Sequence, residues 1–141
     1  MTQSRPALDM HGGGQPGMDV HSPYIEFRIP ASPGYVRIAR LAVGDMGGRV
    51  GFSVDELDDV RLAIDEVCAT LISAGGTTLE IRMQAIDRAL TIKGCSPDAR
   101  NAAAPTELSE ILLGALVDSC VFTTRDGAAH FEMRKLAREI A

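Results

Sequence analysis

The sequence predicts an α+β domain, with helices packed on one face of a mostly antiparallel sheet of about five strands. Three observations predict it. Five short stretches alternate apolar and polar residues, three others repeat apolar residues at helical spacing, and their order along the chain reads β-α-α-β-β-α-β-β.

With 141 residues, 45% of them hydrophobic and 23% charged, the chain is long enough for one ordinary domain and has a soluble, globular composition. Fourteen Lys and Arg against 19 Asp and Glu leave a net charge of -5. No global basic field therefore exists, and direct nucleic-acid binding is disfavoured. No stretch approaches the roughly 18 apolar residues of a membrane span. The N-terminus lacks the basic region and apolar run of a secretory signal, which points to a cytoplasmic protein. Cys68, Cys95 and Cys120 are odd in number and widely spaced, with no CxxC pair, so they read as reduced thiols filling space in helix and strand, and no metal site is expected.

Residues 1–22 contain Pro6, Gly12, Gly13, Gly14, Pro16 and Gly17 among polar residues without periodicity, the pattern of a flexible tail. His11 and His21 lie in it and read as solvated. The folded domain is expected over residues 23–136, with 137–141 as a C-terminal end. Tyr24 to Ile29 alternates, placing Ile25, Phe27 and Ile29 on one face of a half-buried strand. Ser32 followed by Pro33 suits a helix start, and Val36, Ala39, Val43, Met46 and Val50 mark its apolar stripe, with Gly47 and Gly48 loosening its end.

A second helix opens on a capping box, Ser53-x-x-Glu56, and carries Val54, Leu57, Val60, Ile64, Val67, Cys68, Leu71 and Ile72 to a stop at Gly75 and Gly76. The acidic first turn, Asp55, Glu56, Asp58 and Asp59, complements the helix dipole. Leu79 to Ala85 and Leu90 to Gly94 alternate about an Asp87-Arg88 turn, a hairpin with one buried face. Thr106 then caps a short helix with Ile111, Leu112, Ala115 and Leu116 on its apolar side. Asp126-Gly127 turns a final hairpin of Ser119 to Thr124 and Ala128 to Lys135. His130 alternates with Phe131 and reads as an exposed strand residue, and Asp65 reads as surface.

Three stretches carry a resemblance: Pro33-Gly-Tyr-Val-Arg-Ile-Ala-Arg-Leu, then Gly51-Phe-Ser, then Asp58-Asp-Val-Arg-Leu-Ala-Ile-Asp-Glu-Val-Cys. Over residues 24 to 136, weakening after Gly94, the chain resembles the bacterial anti-sigma factor serine kinases of the GHKL, or histidine-kinase-like, ATPase superfamily. The resemblance implies the family's two-layer α/β sandwich of the Bergerat type. It also implies a site. Where the family carries Glu-Ala-Cys-Thr-Asn, this chain reads Glu66-Val67-Cys68-Ala69-Thr70. Glu66 and Thr70 stand four apart on one helical face, so Glu66 could act as catalytic base on a hydroxyl nucleophile, with the residue one turn later on the metal of ATP. A solvated helix residue is the plain alternative for Glu66.

The nucleotide motifs depart from the family pattern at three places. The family's magnesium-binding asparagine is Thr70 here, and a hydroxyl is a shorter and weaker ligand for Mg²⁺. The family's adenine-reading aspartate falls on Ser96, with Asp98 two residues on as a register-shifted substitute and no glycines after it. In place of a Gly-x-Gly phosphate lid stands Thr106-Glu-Leu-Ser-Glu110, whose carboxylates would repel a triphosphate. The expectation is a regulator with weak or lost ATP binding and no cofactor.

The resemblance further implies an alternative sigma factor and a STAS-domain anti-anti-sigma factor as partners, with a homodimeric state. It places partner contacts on Arg37, Arg40 and Arg49 and on Asp55, Asp58 and Asp59, which offer complementary charge. The alternative is an active ATP-dependent protein serine kinase that phosphorylates the STAS partner and uses Mg-ATP.

Overall fold

The computed structural model of the chain describes residues 22–138. The tail expected over residues 1–22, His11 and His21 included, lies outside the described residues apart from Ser22. The strands are β1 (Ile25–Pro30), β2 (Thr78–Ile86), β3 (Ala89–Ser96), β4 (Ser119–Arg125) and β5 (Ala128–Leu136). The helices are α1 (Val36–Val50), α2 (Val54–Ser73) and α3 (Glu107–Leu116). The sheet order is β1-β2-β3-β5-β4 and every neighbouring pair is antiparallel. This is the expected α+β architecture, with the helices on one face.

Ser32 is extended and precedes a single 3-10 turn at Pro33–Tyr35, with Pro at the first position and no bond to the Ser32 hydroxyl. The turn leads into α1, whose Val36, Ala39, Val43, Met46 and Val50 are buried as their spacing predicts. Gly47 and Gly48 do not loosen the helix end. The helix runs through them to Gly51, which takes the left-handed conformation at φ 93 and donates to the Gly47 and Gly48 carbonyls. Gly47 serves packing instead, because a Cβ there would meet Leu57 at 2.7 Å and Phe52 at 2.8 Å.

The capping box of α2 is formed on both sides. The Ser53 hydroxyl accepts from the Glu56 amide at 3.1 Å, and a Glu56 carboxylate oxygen accepts from the Ser53 amide at 2.9 Å. The other Glu56 oxygen accepts from the Arg138 amide at 2.8 Å, and Ala137 donates to the Arg88 carbonyl at 2.7 Å, so the chain beyond β5 is held against the domain.

The hairpin of β2 and β3 differs from expectation, because both its faces are withdrawn from solvent. Leu79, Ile81, Met83, Leu90 and Ile92 pack under the helices, and Glu80, Arg82, Gln84, Thr91 and Lys93 on the outer face are buried as well. The reason lies in cross-strand pairing. Register sets Glu26 beside Arg82 and Lys93 beside Glu132, so an anion flanks each side of the neighbouring Arg82 and Lys93, and the long stems of these side chains cover one another. Arg82 reaches Glu26 at 2.8 Å and lies over the Tyr24 ring at 4.6 Å. His130, expected to be exposed, is 7% exposed on this face, where register sets it beside Cys95 with 3.9 Å between Nε2 and Sγ. Burial first, then the Arg125 and Lys93 charges, hold its pKa below the ordinary 6.5.

Helix α3 also differs. Its buried residue is Leu113, with Leu116 half-buried, while Ile111, Leu112 and Ala115 face outward. The Thr106 hydroxyl accepts from the Ser109 amide at 3.0 Å, and the Ser109 hydroxyl donates to Glu66 at 2.7 Å. These bonds set the rotation of the helix, and that rotation turns Leu113 rather than Ile111 to the core.

Candidate functional site

Helix α2 carries two sets of functional candidates on two of its sides. Toward α3 and the loop after β3 it presents Glu66 and Thr70. Toward α1 it presents Arg61 and Asp65.

On the first side, Glu66 is half-buried and its carboxylate accepts the Ser109 hydroxyl proton of α3. The Thr70 hydroxyl donates to the Glu66 carbonyl one turn back at 3.0 Å, so it is engaged with its own helix and buried. Ser96, at the end of β3, is fully buried, and its hydroxyl has no hydrogen-bond partner among the described residues. Asp98 is exposed and folds back onto the segment after α2. Its carboxylate accepts from the Thr77 amide at 3.0 and 3.1 Å and from the Thr77 hydroxyl in a still shorter contact. The Thr77 hydroxyl first, then its amide, holds the Asp98 carboxyl below its ordinary pKa of 3.8.

The loop that follows closes over the end of α2. The Arg100 and Asn101 amides donate to the Ala74 carbonyl at 2.8 and 2.9 Å, and Ala99 and Ala103 pack against the core. Gly76 permits this approach. A Cβ there would overlap the Ser96 hydroxyl and would stand 2.7 Å from an Asp98 oxygen and 3.2 Å from the Ala99 amide nitrogen. Glu66, Thr70, Ser96 and Asp98 thus line one end of the sandwich, and three of the four have their polar groups engaged within the protein.

On the second side, α1 and α2 form an antiparallel pair joined by Gly51, Phe52 and Ser53. Arg37, Arg40 and Arg61 converge with Leu41, Gly44 and Asp45 on a cavity of about 430 Å³. Arg40 reaches Asp65 at 3.1 Å, and Arg61 stands 3.6 Å from Asp58. Arg37 is exposed and takes part in no ion pair among the described residues. Gly44 matters here, because a Cβ would meet the Arg61 guanidinium at 2.8 Å. Asp65, expected as plain surface, is the ion-pair link between the helices.

Of the other partner candidates, Arg49 pairs with Asp45 at 2.8 Å and lines a separate groove with Tyr24, Ile25, Met46 and Asp87. Asp55 and Asp58 are exposed on the first turns of α2, and Asp59 stands 3.9 Å from Lys135 of β5. The structure therefore brings Arg37 and Arg40 together, links Asp58 to their cavity through Arg61, and leaves Arg49, Asp55 and Asp59 outside its lining. Sequence reasoning missed Arg61, Ser109 and Thr77. The signal for Arg61 was the small-residue spacing of Gly44 and Gly47, which lets α2 approach α1 closely. Ser109 and Thr77 carried none.

The three thiols fit their reading as space-filling residues: Cys68, Cys95 and Cys120 are free, and burial pushes each thiol pKa up to about 12. Among the described residues no group of three or more His, Cys, Asp or Glu stands ready to hold a metal ion, and no helix is long and apolar enough to cross a membrane.

No family model matches the chain. Among curated proteins, the serine-protein kinase RsbW of Bacillus subtilis is 36% identical over 55 residues, 39% of this chain and 34% of that protein. Serine-protein kinase RsbW of Bacillus velezensis is 39% identical over 49 residues, covering 35% of this chain and 31% of the relative. That of Bacillus thuringiensis is 40% identical over 48 residues, 34% and 30% of the two chains. The chain spans about a third of the length of these relatives. A crystal structure of the RsbU and RsbW domains of a Mycobacterium tuberculosis protein superposes with a TM-score of 0.65 over 84% of this chain and 34% of that one, at 15% identity. At that identity the likeness speaks for the fold alone. The chain resembles these serine-protein kinases in sequence over about a third of its length, and its fold is the α+β sandwich of that solved structure.

Proposed function

We propose that this chain is an anti-sigma-factor-like regulator, acting in the cytoplasm by binding an alternative sigma factor, a STAS-domain anti-anti-sigma factor, or both in turn, with ATP binding weak or lost. The observation that carries the reading is the 2.7 Å hydrogen bond from the Ser109 hydroxyl to Glu66. A kinase base would direct its carboxylate at the hydroxyl it activates, and in this reading one Glu66 oxygen is instead given to Ser109. Here that carboxylate ties α2 to α3, the Thr70 hydroxyl faces its own backbone, and Asp98 clamps Thr77. Polar groups that satisfy one another inside the protein are not available to a ligand without breaking those bonds.

The partner surface in this reading is the α1 and α2 face around Arg37, Arg40 and Arg61, which suits an acidic segment of the partner. Switching then comes from competition between two partners for one surface rather than from phosphorylation. The homodimer implied by the family resemblance belongs to the same proposal and is read directly by light scattering.

The alternative, an ATP-dependent kinase of a STAS-domain substrate using Mg-ATP, is favoured by the names of the relatives and by the presence of Glu66. Thermal melting with and without Mg-ATP separates the two readings. A ligand at about one hundred times its Kd adds roughly 2.7 kcal/mol, and such a shift would overturn the loss of nucleotide binding. No shift is expected. Binding that appears only in a Thr70→Asn variant would assign the loss to position 70. A pull-down from the native lysate, with the retained proteins identified by mass spectrometry, tests the partner class. A sigma factor or a small STAS protein among them supports the reading, and recovery of neither counts against it.

A further inference from the structure

The outer face of the sheet is withdrawn from solvent at its centre and open at its edges. Gln84 is 1% exposed, Thr91 2%, Cys95 0% and His130 7%. On the same face Glu26 and Arg28 of β1 and Val121 and Thr123 of β4 are exposed. The three helices pack on the opposite face and cover none of these residues. The stems of Arg82 and Lys93 shade part of the centre. Short side chains such as Thr91 and Cys95 on the bare face of a sheet keep contact with water, as Thr123 does on β4.

Arg82 adds an independent observation. It is 1% exposed and its Nη2 is bonded to Glu26, while Nε and Nη1 have no hydrogen-bond partner among the described residues. A buried guanidinium with two nitrogens unbonded is costly, and acceptors laid over it would remove that cost. The chain enters the domain at this face. The Ser22 carbonyl accepts from Gln84 Nε2 at 2.9 Å, and the Tyr24 ring lies over Arg82. Residues 1–21 therefore join the domain beside the covered patch. From Thr91 to Cys95 is four residues along β3, about 13 Å, which roughly five residues of extended chain cross. The chemistry of the joining residues suits the patch. Gly12, Gly13, Gly14 and Gly17 carry no Cβ to hold their carbonyls away from the sheet. Asp19, the only Asp, Glu, Lys or Arg in residues 10–21, offers a carboxylate three residues from Ser22 to the Arg82 and Lys93 cations.

We infer that the outer face of β2, β3 and the start of β5 is the docking site of the chain's own residues 1–21, which cross it as a third layer and supply acceptors to Arg82. The join at Ser22 selects this occupant over a second copy or another protein. A tethered segment meets the face at high effective concentration and spends no translational freedom in binding. The inference concerns the chain's own covering and does not rest on the reading of its partners.

NMR of the isotope-labelled full chain tests this directly. Nuclear Overhauser cross-peaks are expected between residues 1–21 and the Thr91 methyl group, the Cys95 β-protons or the His130 ring. Their absence would overturn the inference. A mixture of labelled and unlabelled chains identifies the source of the contact, and cross-peaks that arise only between chains would give the face to a second copy and overturn the inference as well. Thiol alkylation by iodoacetamide, mapped by mass spectrometry, gives a second readout. A protease site inserted between His21 and Ser22 lets residues 1–21 be cut from the folded chain and separated by gel filtration. Co-elution of the cut segment with the domain supports the docking. Once the segment is removed, Cys95 should react at least about tenfold faster, with Cys68 in the core unchanged. The same Cys95 rate before and after removal would overturn the inference. A rise at Cys68 as well would mark a loosened core, and the cross-peaks of the uncut chain then decide alone.

Discussion

The two sides of α2 hold similar numbers of polar side chains and use them in opposite ways. Toward α3, Glu66, Thr70 and their neighbour Asp98 are all bonded within the protein, to Ser109, to a backbone carbonyl and to Thr77. Toward α1, Arg37 is unpaired among the described residues, Arg40 holds a half-exposed partner and Arg61 an exposed one, and a cavity stays open between them. The difference teaches what separates a structural polar group from a functional one. Residue type does not, because carboxylates occur on both sides, Glu66 and Asp98 on one and Asp58 and Asp65 on the other. What decides is whether the hydrogen-bonding capacity of the group is already met inside the molecule.

The sharpest way to break this comparison is to replace a glycine on each side. Gly76→Ala places a methyl group against the Ser96 hydroxyl, the Asp98 carboxylate and the Ala99 backbone, and the backbone has no rotamer to move aside. The expected loss is about 2 to 3 kcal/mol, read as a fall in the urea midpoint at unchanged slope. A neutral outcome would mean that the loop does not close over α2. The next effect belongs to Ser109→Ala, which strips Glu66 of its partner at a half-buried position. It should cost about 1.5 kcal/mol, the range for a hydrogen bond to a charged group. If Glu66 were instead a solvated helix residue, the same change would be silent.

On the α1 side the sign reverses. Gly48 lies inside the helix, takes no positive φ, and has no atom within 4 Å of a Cβ built on it. Gly48→Ala should therefore raise stability by about 0.5 to 1 kcal/mol through helix propensity and a less flexible unfolded chain. A loss would show that this face is packed against something. Asp98→Asn gives a smaller effect with a pH signature. A carboxyl depressed in the folded state adds stability that is complete above the ordinary pKa of 3.8 and is lost as pH falls through the lower folded value. Denaturant midpoints taken between about pH 5 and pH 2 should fall less steeply in the variant than in the parent chain. Parallel curves would remove the Thr77 clamp from the account.

How much of this was legible in the sequence follows the same division. The buried stripe of α1, the capping box of α2 and the Asp126-Gly127 turn came through because each is decided by residues close together in the chain. Gly51 rather than Gly47 ends α1 because a helix stops where the left-handed conformation is taken, and a sequence with four nearby glycines does not single one out. The rotation of α3 and the burial of His130 were hidden for a different reason. One depends on a bond across 43 residues from Ser109 to Glu66, the other on a cross-strand neighbour 35 residues away. The candidate residues of the site were legible as positions. Their engagement was not, since the partners of Glu66 and Asp98 lie on other segments of the chain and Thr70 turns back on its own helix.

The smallest effect on stability carries the most about function. Arg37 is exposed, contributes to no ion pair among the described residues, and lies on the first turn of α1, where a positive charge meets the positive end of the helix dipole. By stability alone it is a poor choice of residue, and Arg37→Glu should leave the melting free energy within about 0.5 kcal/mol of the parent or raise it slightly. Arg40→Ala differs, because it also removes the pair with Asp65 and should cost up to about 1 kcal/mol as an exposed ion pair does. If the cavity between α1 and α2 receives an acidic segment of a partner, Arg37→Glu should slow association and steepen the loss, since charge at an interface rim acts first on the on-rate. Measured against whichever sigma factor or STAS protein the lysate yields, that combination of unchanged melting and weakened binding assigns the arginine to recognition. An unchanged affinity would leave Arg37 a solvated helix residue and would move the partner surface elsewhere on the molecule.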